Sequence, residues 1–180
     1  KAEARGQIIG RISIDERPSI VNEKTRIGDW EADTVIGKGH QGVLVTLAER
    51  CSKRTLIAPV PNKRADVVRD AIITLLKPET VHTITFDNGG EFAGHQSIAK
   101  ALKCKVYFAK PYHSWQRGLN ENTNGLLRRF YPKGFTIGQL TEQDITVTQM
   151  LINFRPRKSL NYLTPIEVLL NKRVSLIVEI

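Results

Sequence analysis

A chain of 180 residues with 41% hydrophobic content fits one domain of ordinary size around a single core. Its 27 Lys and Arg against 18 Asp and Glu leave a formal charge of +9, which favours a polyanionic partner because each cation that meets a phosphate releases a condensed counterion. The longest apolar stretches, around Val43 to Ala48 and Ala71 to Leu76, fall far short of the ~20 residues that cross a bilayer, and Cys51 and Cys104 lack the spacing of a zinc site, so the expectation is no membrane partner and reduced thiols in a cytosol.

Residues 1–27 are polar and interrupted by Gly6, Gly10 and Pro18, which reads as a linker or extended arm before a compact core over 28–180. Three strands follow in a meander: Asp29 to Gly37, Gly42 to Arg50 and Thr55 to Val60, the last placed at an edge or end by Pro59. From Lys63 to Lys77 the apolar residues Val67, Val68, Ala71, Ile72, Leu75 and Leu76 recur three and four apart, predicting a helix that Pro78 stops. Val81 to Phe86 is a β-branched strand running into Asp87-Asn88-Gly89-Gly90, a turn that puts Asp87 at the strand's carboxyl end, where ligands commonly sit. A short helix at Gln96 to Leu102, a strand at Lys105 to Ala109, a loop at Pro111 to Trp115 and helices at Arg117 to Phe130 and Thr141 to Phe154 complete an α/β pattern: a mixed five-stranded sheet with helices packed on it.

Three carboxylates on separate elements stand out: Asp33 in the first strand, Asp87 at the end of a later one and Glu121 in a helix. Winding that helix puts Arg117, Glu121, Asn124 and Arg128 on one face and Leu119, Leu126 and Phe130 opposite. A solvated helix with an i, i+4 pair of Arg117 and Glu121 explains this face equally well by itself. If the three acids converge, their repulsion calls for hard divalent cations such as Mg²⁺ or Mn²⁺. Two such ions can activate an attacking oxygen and stabilise a leaving one during in-line displacement at phosphorus. Asp29, Glu31 and Glu91 compete for the same roles, Glu31 because it shares a strand face with Asp33.

Beyond single residues, Arg17-Pro18-Ser19-Ile20-Val21, Ile27 to Val35 (IGDWEADTV), Thr85 to Phe92 (TFDNGGEF), Ala109 to Asn122 (AKPYHSWQRGLNEN), Arg128 to Gly134 and the closing Arg155-Pro156-Arg157-Lys158 with Thr164 to Val168 together resemble the bacterial insertion-sequence transposases of family thirty. These belong to the Asp-Asp-Glu transposase and retroviral-integrase superfamily. The resemblance implies a ribonuclease H-like fold and assigns the acidic triad and its metal ions to Asp33, Asp87 and Glu121, against Asp29, Glu31 and Glu91. It implies cleavage at transposon ends and joining of the freed 3′-hydroxyl to target DNA, by a homo-oligomer on paired DNA ends in the bacterial cytoplasm, associated with the nucleoid when on DNA. The family's upstream helix-turn-helix region has no counterpart here. A ribonuclease H-like nuclease that only hydrolyses, and a DNA-binding remnant without catalysis, are the alternatives.

The helix match makes Arg128, seven residues after Glu121, a DNA contact. Lys110, Arg117, Arg129 and Lys133 join it as candidates for a phosphate path, with Arg155, Arg157 and Lys158 a second group. Tyr112, His113 and Trp115 offer rings that could stack on an unpaired base or simply pack.

Overall fold

The computed structural model describes residues 8–40, 42–111 and 118–173. Five strands, β1 (Asp29–Ile36), β2 (Val43–Glu49), β3 (Thr55–Val60), β4 (Thr83–Phe86) and β5 (Lys105–Phe108), form one sheet in the order β3-β2-β1-β4-β5. β1, β2 and β3 are antiparallel neighbours, whereas β4 runs parallel to β1, and β5 parallel to β4. A mixed sheet follows from the connections. Short turns join the first three strands, while helices α2 (Ala65–Leu76) and α3 (His95–Leu102) provide the longer links that parallel pairing requires. The remaining helices are α1 (Ile20–Glu23), α4 (Gly118–Phe130), α5 (Glu142–Asn153) and α6 (Pro165–Leu170).

Because side chains alternate across a strand, the sheet has two different faces. Trp30, Ala32, Val45, Leu47, Ile84, Phe86, Val106 and Phe108 point to one side, where they meet Val68, Ile72 and Leu76 of α2 and Ile98 of α3 in the larger core. Val35, Leu44 and Ile57 point to the other, where Leu127 and Tyr131 at the end of α4 and Ile145 and Ile152 of α5 close a smaller core. α5 begins with a capping box at Thr141 and Asp144, which satisfies orphan amides at the helix start. The helix also covers the open edge of β3: Gln149 accepts from the Ile57 N–H, while the Asn153 amide both accepts from Thr55 N and donates to Thr55 O. An exposed strand edge would otherwise be a template for unwanted pairing.

From Ile8 onward the leading arm lies against the sheet. Ile8, Ile14 and Val21 are buried, and Ser13 bridges Phe108 in parallel beside β5. The helix α6 was not expected in the Pro-containing tail; Pro165 occupies its first turn, where a missing N–H loses nothing.

Candidate active site

The second face of the sheet is apolar only at one end. From the start of β1 to its middle and along β4 it carries Asp29, Glu31, Asp33, Thr83 and Thr85, whereas Val35 near the carboxyl end of β1 belongs to the smaller core; Asp87 follows directly after β4. The offset that pairs Asp29 with Thr83 and Glu31 with Thr85 leads, two residues further along, from Asp33 to Asp87. Asp33 and Asp87, which this offset would set opposite each other beyond the last registered pair, are both half-buried. Asp87 Oδ1 accepts from the Gly89 N–H at 2.8 Å, an Asx-type turn. A Cβ added at Gly89 would come within 2.8 Å of Asp87 Oδ1 and 2.3 Å of Glu91 Oε2, so a side chain there would displace both carboxylates.

Asp33 is tied to α4: Asn124 Nδ2 donates to Asp33 Oδ2 at 2.9 Å, and the Thr34 N–H donates to Asp33 Oδ1 at 2.8 Å. Asn124 lies one turn beyond Glu121. The start of α4 is fixed below by Glu31, whose Oε2 accepts the Asn120 N–H at 3.3 Å, and by Asn120 Nδ2, which donates to the Ala32 carbonyl at 3.2 Å. Glu31 Oε1 meets Arg50 Nη1 in a buried ion pair. Arg50 Nε donates to the Val21 carbonyl, and the buried Arg17 Nη1 donates to Thr85 Oγ1 at 2.9 Å. Burial, reinforced by the nearby positive charge of Arg50, pulls the Arg17 pKa down to about 10. Asp29 accepts from Arg26 Nε and Nη2 and from Thr83 Oγ1. Burial works to raise its carboxyl, but those hydrogen bonds outweigh it and keep the pKa below the usual carboxylate range.

The three rival acids are therefore engaged in structural bonds. Glu91, beside Asp87, accepts from Thr34 Oγ1 at 2.9 Å and pairs with Lys63 at 2.7 Å. Glu121 stands exposed in the first turn of α4, and among the described residues no three His, Cys, Asp or Glu side chains lie close enough to hold a metal ion together. Carboxylates brought together without a cation repel. The donor chemistry nonetheless suits a hard ion, because Asp33 and Asp87 would both offer carboxylate oxygens. Asn124 Oδ1 is buried there without a hydrogen-bond partner, an acceptor that a polar ligand would satisfy.

The expected apolar side of α4 needs correcting. Asn120, Thr123 and Leu127 are its buried residues, whereas Leu119 and Leu126 are half-buried and Phe130 is 38% exposed. The first half of the helix lies on the polar part of the sheet, so the amides of Asn120 and Asn124, with partners on β1, replace apolar groups. Of the basic candidates, Arg128 is half-buried, Arg129 and Lys133 are exposed, and Lys110 pairs with Asp15 at 2.8 Å. Arg117, Tyr112, His113 and Trp115 lie outside the described residues. Sequence reasoning left Glu31 as a possible supporting charge and passed over Arg50. The available signal was two opposite charges in adjacent strands otherwise rich in buried positions.

The family described as integrase core domain matches residues 23–114. The chain belongs to that family. It is 50% identical over 169 residues to the transposase for insertion sequence element IS4351 of Bacteroides fragilis, covering 93% of this chain and 52% of that protein. With the transposase InsI for insertion sequence element IS30A of Escherichia coli K12 it shares 34% over 165 residues, 90% of this chain and 43% of that protein. The resemblance to family-thirty transposases is thereby borne out. The chain spans about half the length of these curated relatives. The fold of this integrase core is the ribonuclease H-like one expected: the catalytic core domain of BIV integrase superposes with a TM-score of 0.60 at 20% identity, covering 79% of this chain and 93% of that one. A chain of the simian T-cell lymphotropic virus intasome superposes with a TM-score of 0.66 at 21% identity, over 85% of this chain and 58% of that one.

Proposed function

We propose that this integrase core is the catalytic domain of an insertion-sequence transposase, with Asp33, Asp87 and Glu121 as its acidic triad. The reading is carried by one observation: Asn124 ties Asp33 to the helix that bears Glu121, on a strand whose parallel register with β4, continued by two residues, would set Asp33 opposite Asp87. Magnesium or manganese ions, two in number, would supply there the activation of the attacking oxygen and the neutralisation of charge on the leaving one.

The chain's own residues do the rest. Asp33 and Asp87, on a rigid sheet, offer fixed oxygen ligands, and rotation of the exposed Glu121 side chain toward them completes the set. Glu31 and Asn120 hold the start of α4, and with it the base of Glu121, against β1. Arg117, Arg128, Arg129, Lys110 and Lys133 orient the DNA by its phosphates. In the first step water cleaves a phosphodiester at the element end and leaves a 3′-hydroxyl. In the second, that 3′ oxygen bonds to a target phosphorus while the target's own P–O3′ bond breaks, and the departing oxygen takes up a proton. The working form is a homo-oligomer on paired DNA ends, in the cytoplasm and on the nucleoid when bound.

The test combines a pre-cut labelled end, a target plasmid and Mn²⁺ with calorimetric titration of the ion. Wild-type chain gives joined product and binds Mn²⁺; the Asp87→Asn variant does neither while keeping its melting curve. Hydrolysis without joined product would favour a simple nuclease, and ion binding unaffected by Asp87→Asn would remove the triad assignment.

A further inference from the structure

β5 is the last strand of the sheet, and its outer edge meets the leading arm of the chain. The Phe108 N–H donates to the Ile12 carbonyl at 2.9 Å, and Ser13 bridges Phe108 in parallel. This contact sits at the carboxyl end of β5, next to the carboxyl end of β4 where Asp87 follows. It sets Arg11 so that its Nη1 donates to Asn88 Oδ1, while Asn88 Nδ2 donates to the Ala109 carbonyl at 2.7 Å. Asn88, the residue after Asp87, thereby joins arm, β4 and β5. A cavity of about 200 Å³ opens between them, lined by Arg11, Ser13, Asn88 and Lys110 among others.

We propose that Arg11, Lys110, Ser13 and Asn88 form a cradle for one backbone phosphate of DNA, beside the phosphate that Asp87 would address. Two cations reach the cavity from segments 99 positions apart in sequence, numbered 11 and 110, and a hydroxyl and an amide accompany them. That is the donor set through which proteins hold phosphate oxygens. A guanidinium carries five N–H donors, so its bond to Asn88 leaves others for a second acceptor. The nearest anion is Asp15, outside the cavity lining, whose carboxylate lies 2.8 Å from Lys110 Nζ and accepts from Ser13 Oγ at 3.3 Å. Both members of that pair are exposed, with side-chain accessibilities of 44% for Lys110 and 59% for Asp15. Exposed pairs of this kind are weak and readily screened. Asp15 acts as an internal stand-in that a DNA phosphate displaces.

This rests on the reading of the chain as a DNA-acting enzyme, and the experiment separates the two. Binding of a fluorescein-labelled duplex of arbitrary sequence is followed by anisotropy across a series of NaCl concentrations, without divalent metal, for wild type, Arg11→Gln, Arg11→Lys and Asp15→Asn. Arg11→Gln can still donate to Asn88 but carries no charge. It should bind roughly five- to tenfold more weakly, with the slope of log K against log salt shallower by about 0.9. Arg11→Lys should keep the slope, and Asp15→Asn should bind more tightly than wild type, an outcome that loss of a purely structural contact would not produce. An Arg11→Gln slope equal to wild type, or weaker binding by Asp15→Asn, overturns the cradle alone. Absence of duplex binding by wild type overturns the cradle and the DNA reading together. Thermal melts of all four proteins, expected to coincide because Arg11 and Asp15 are exposed, confirm that folded proteins are compared.

Discussion

The two faces of the sheet are made from alternate residues of the same strands, yet they do different things. Trp30, Ala32, Ile84 and Phe86 face α2 and α3 and are fully buried hydrocarbon; Asp29, Glu31, Asp33, Thr83 and Thr85 face the other way and are buried or half-buried polar groups. The first face needs only shape to be stable, because apolar burial is non-directional. The second needs partners of defined geometry, since an unpaired buried charge is costly. A rigid apolar layer behind a polar one lets β1 and the end of β4 hold acids at fixed positions without the sheet shifting to relieve them.

The sharpest way to break this comparison is to neutralise the polar end. Asp87→Asn or Asp33→Asn should reduce Mn²⁺-dependent cleavage and joining to the metal-free level while the urea midpoint stays at or above that of wild type, because one like charge is gone. Gel assays and chemical denaturation of the same preparations check this.

Stability should respond to both faces, in different ways. Phe86→Ala, behind the site, should cost about 3 to 5 kcal/mol through cavity formation, with Mn²⁺ affinity of the folded fraction unchanged. Glu31→Ala should lose a similar amount, about 3 to 5 kcal/mol, because Arg50 is left buried without its counter-charge. It should also weaken Mn²⁺ binding, since the start of α4 is released. Urea denaturation and calorimetric titration distinguish the two outcomes.

A finer cut is Asn124→Ala, which removes the amide that donates to Asp33 Oδ2. The expected loss is about 1 kcal/mol of stability, with a Mn²⁺ titration displaced to higher concentration and an unaltered joining rate at saturating ion.

The smallest effect concerns acid. Asp29 has a folded pKa below its unfolded value of about 3.9. Its contribution is fully present above pH ~4 and is lost as pH falls through the folded pKa. The drop in melting temperature between neutral pH and pH ~3 should be smaller for Asp29→Asn than for wild type.

Much of this was legible in the residues. The strands announced themselves by alternation and β-branching, α2 by its stripe of Val68, Ile72 and Leu76, and the turn after β4 by Asp87-Asn88-Gly89-Gly90. The wheel of α4 misled at its first half because it assumed that a helix buries its leucines. Asn120 and Thr123 are buried instead, and what makes the burial of Asn120 favourable is its pair of partners on β1, Glu31 and Ala32, far away in sequence. The arm was read from its glycines and polarity, which carry no sign of the parallel bridge to Phe108.

Amino-acid order alone determined the alternation, the helix stripes, the positive charge and the presence of acids at strand and helix ends, because these depend on neighbours a few positions apart. Tertiary structure decided that Asp33 is tied to Asn124 of α4, that Glu31 and Arg50 neutralise each other beneath α4, and that Arg11 arrives next to Asn88. Each of these is a meeting of distant segments, governed by strand register and by the need to pair buried charge, and no local pattern records either.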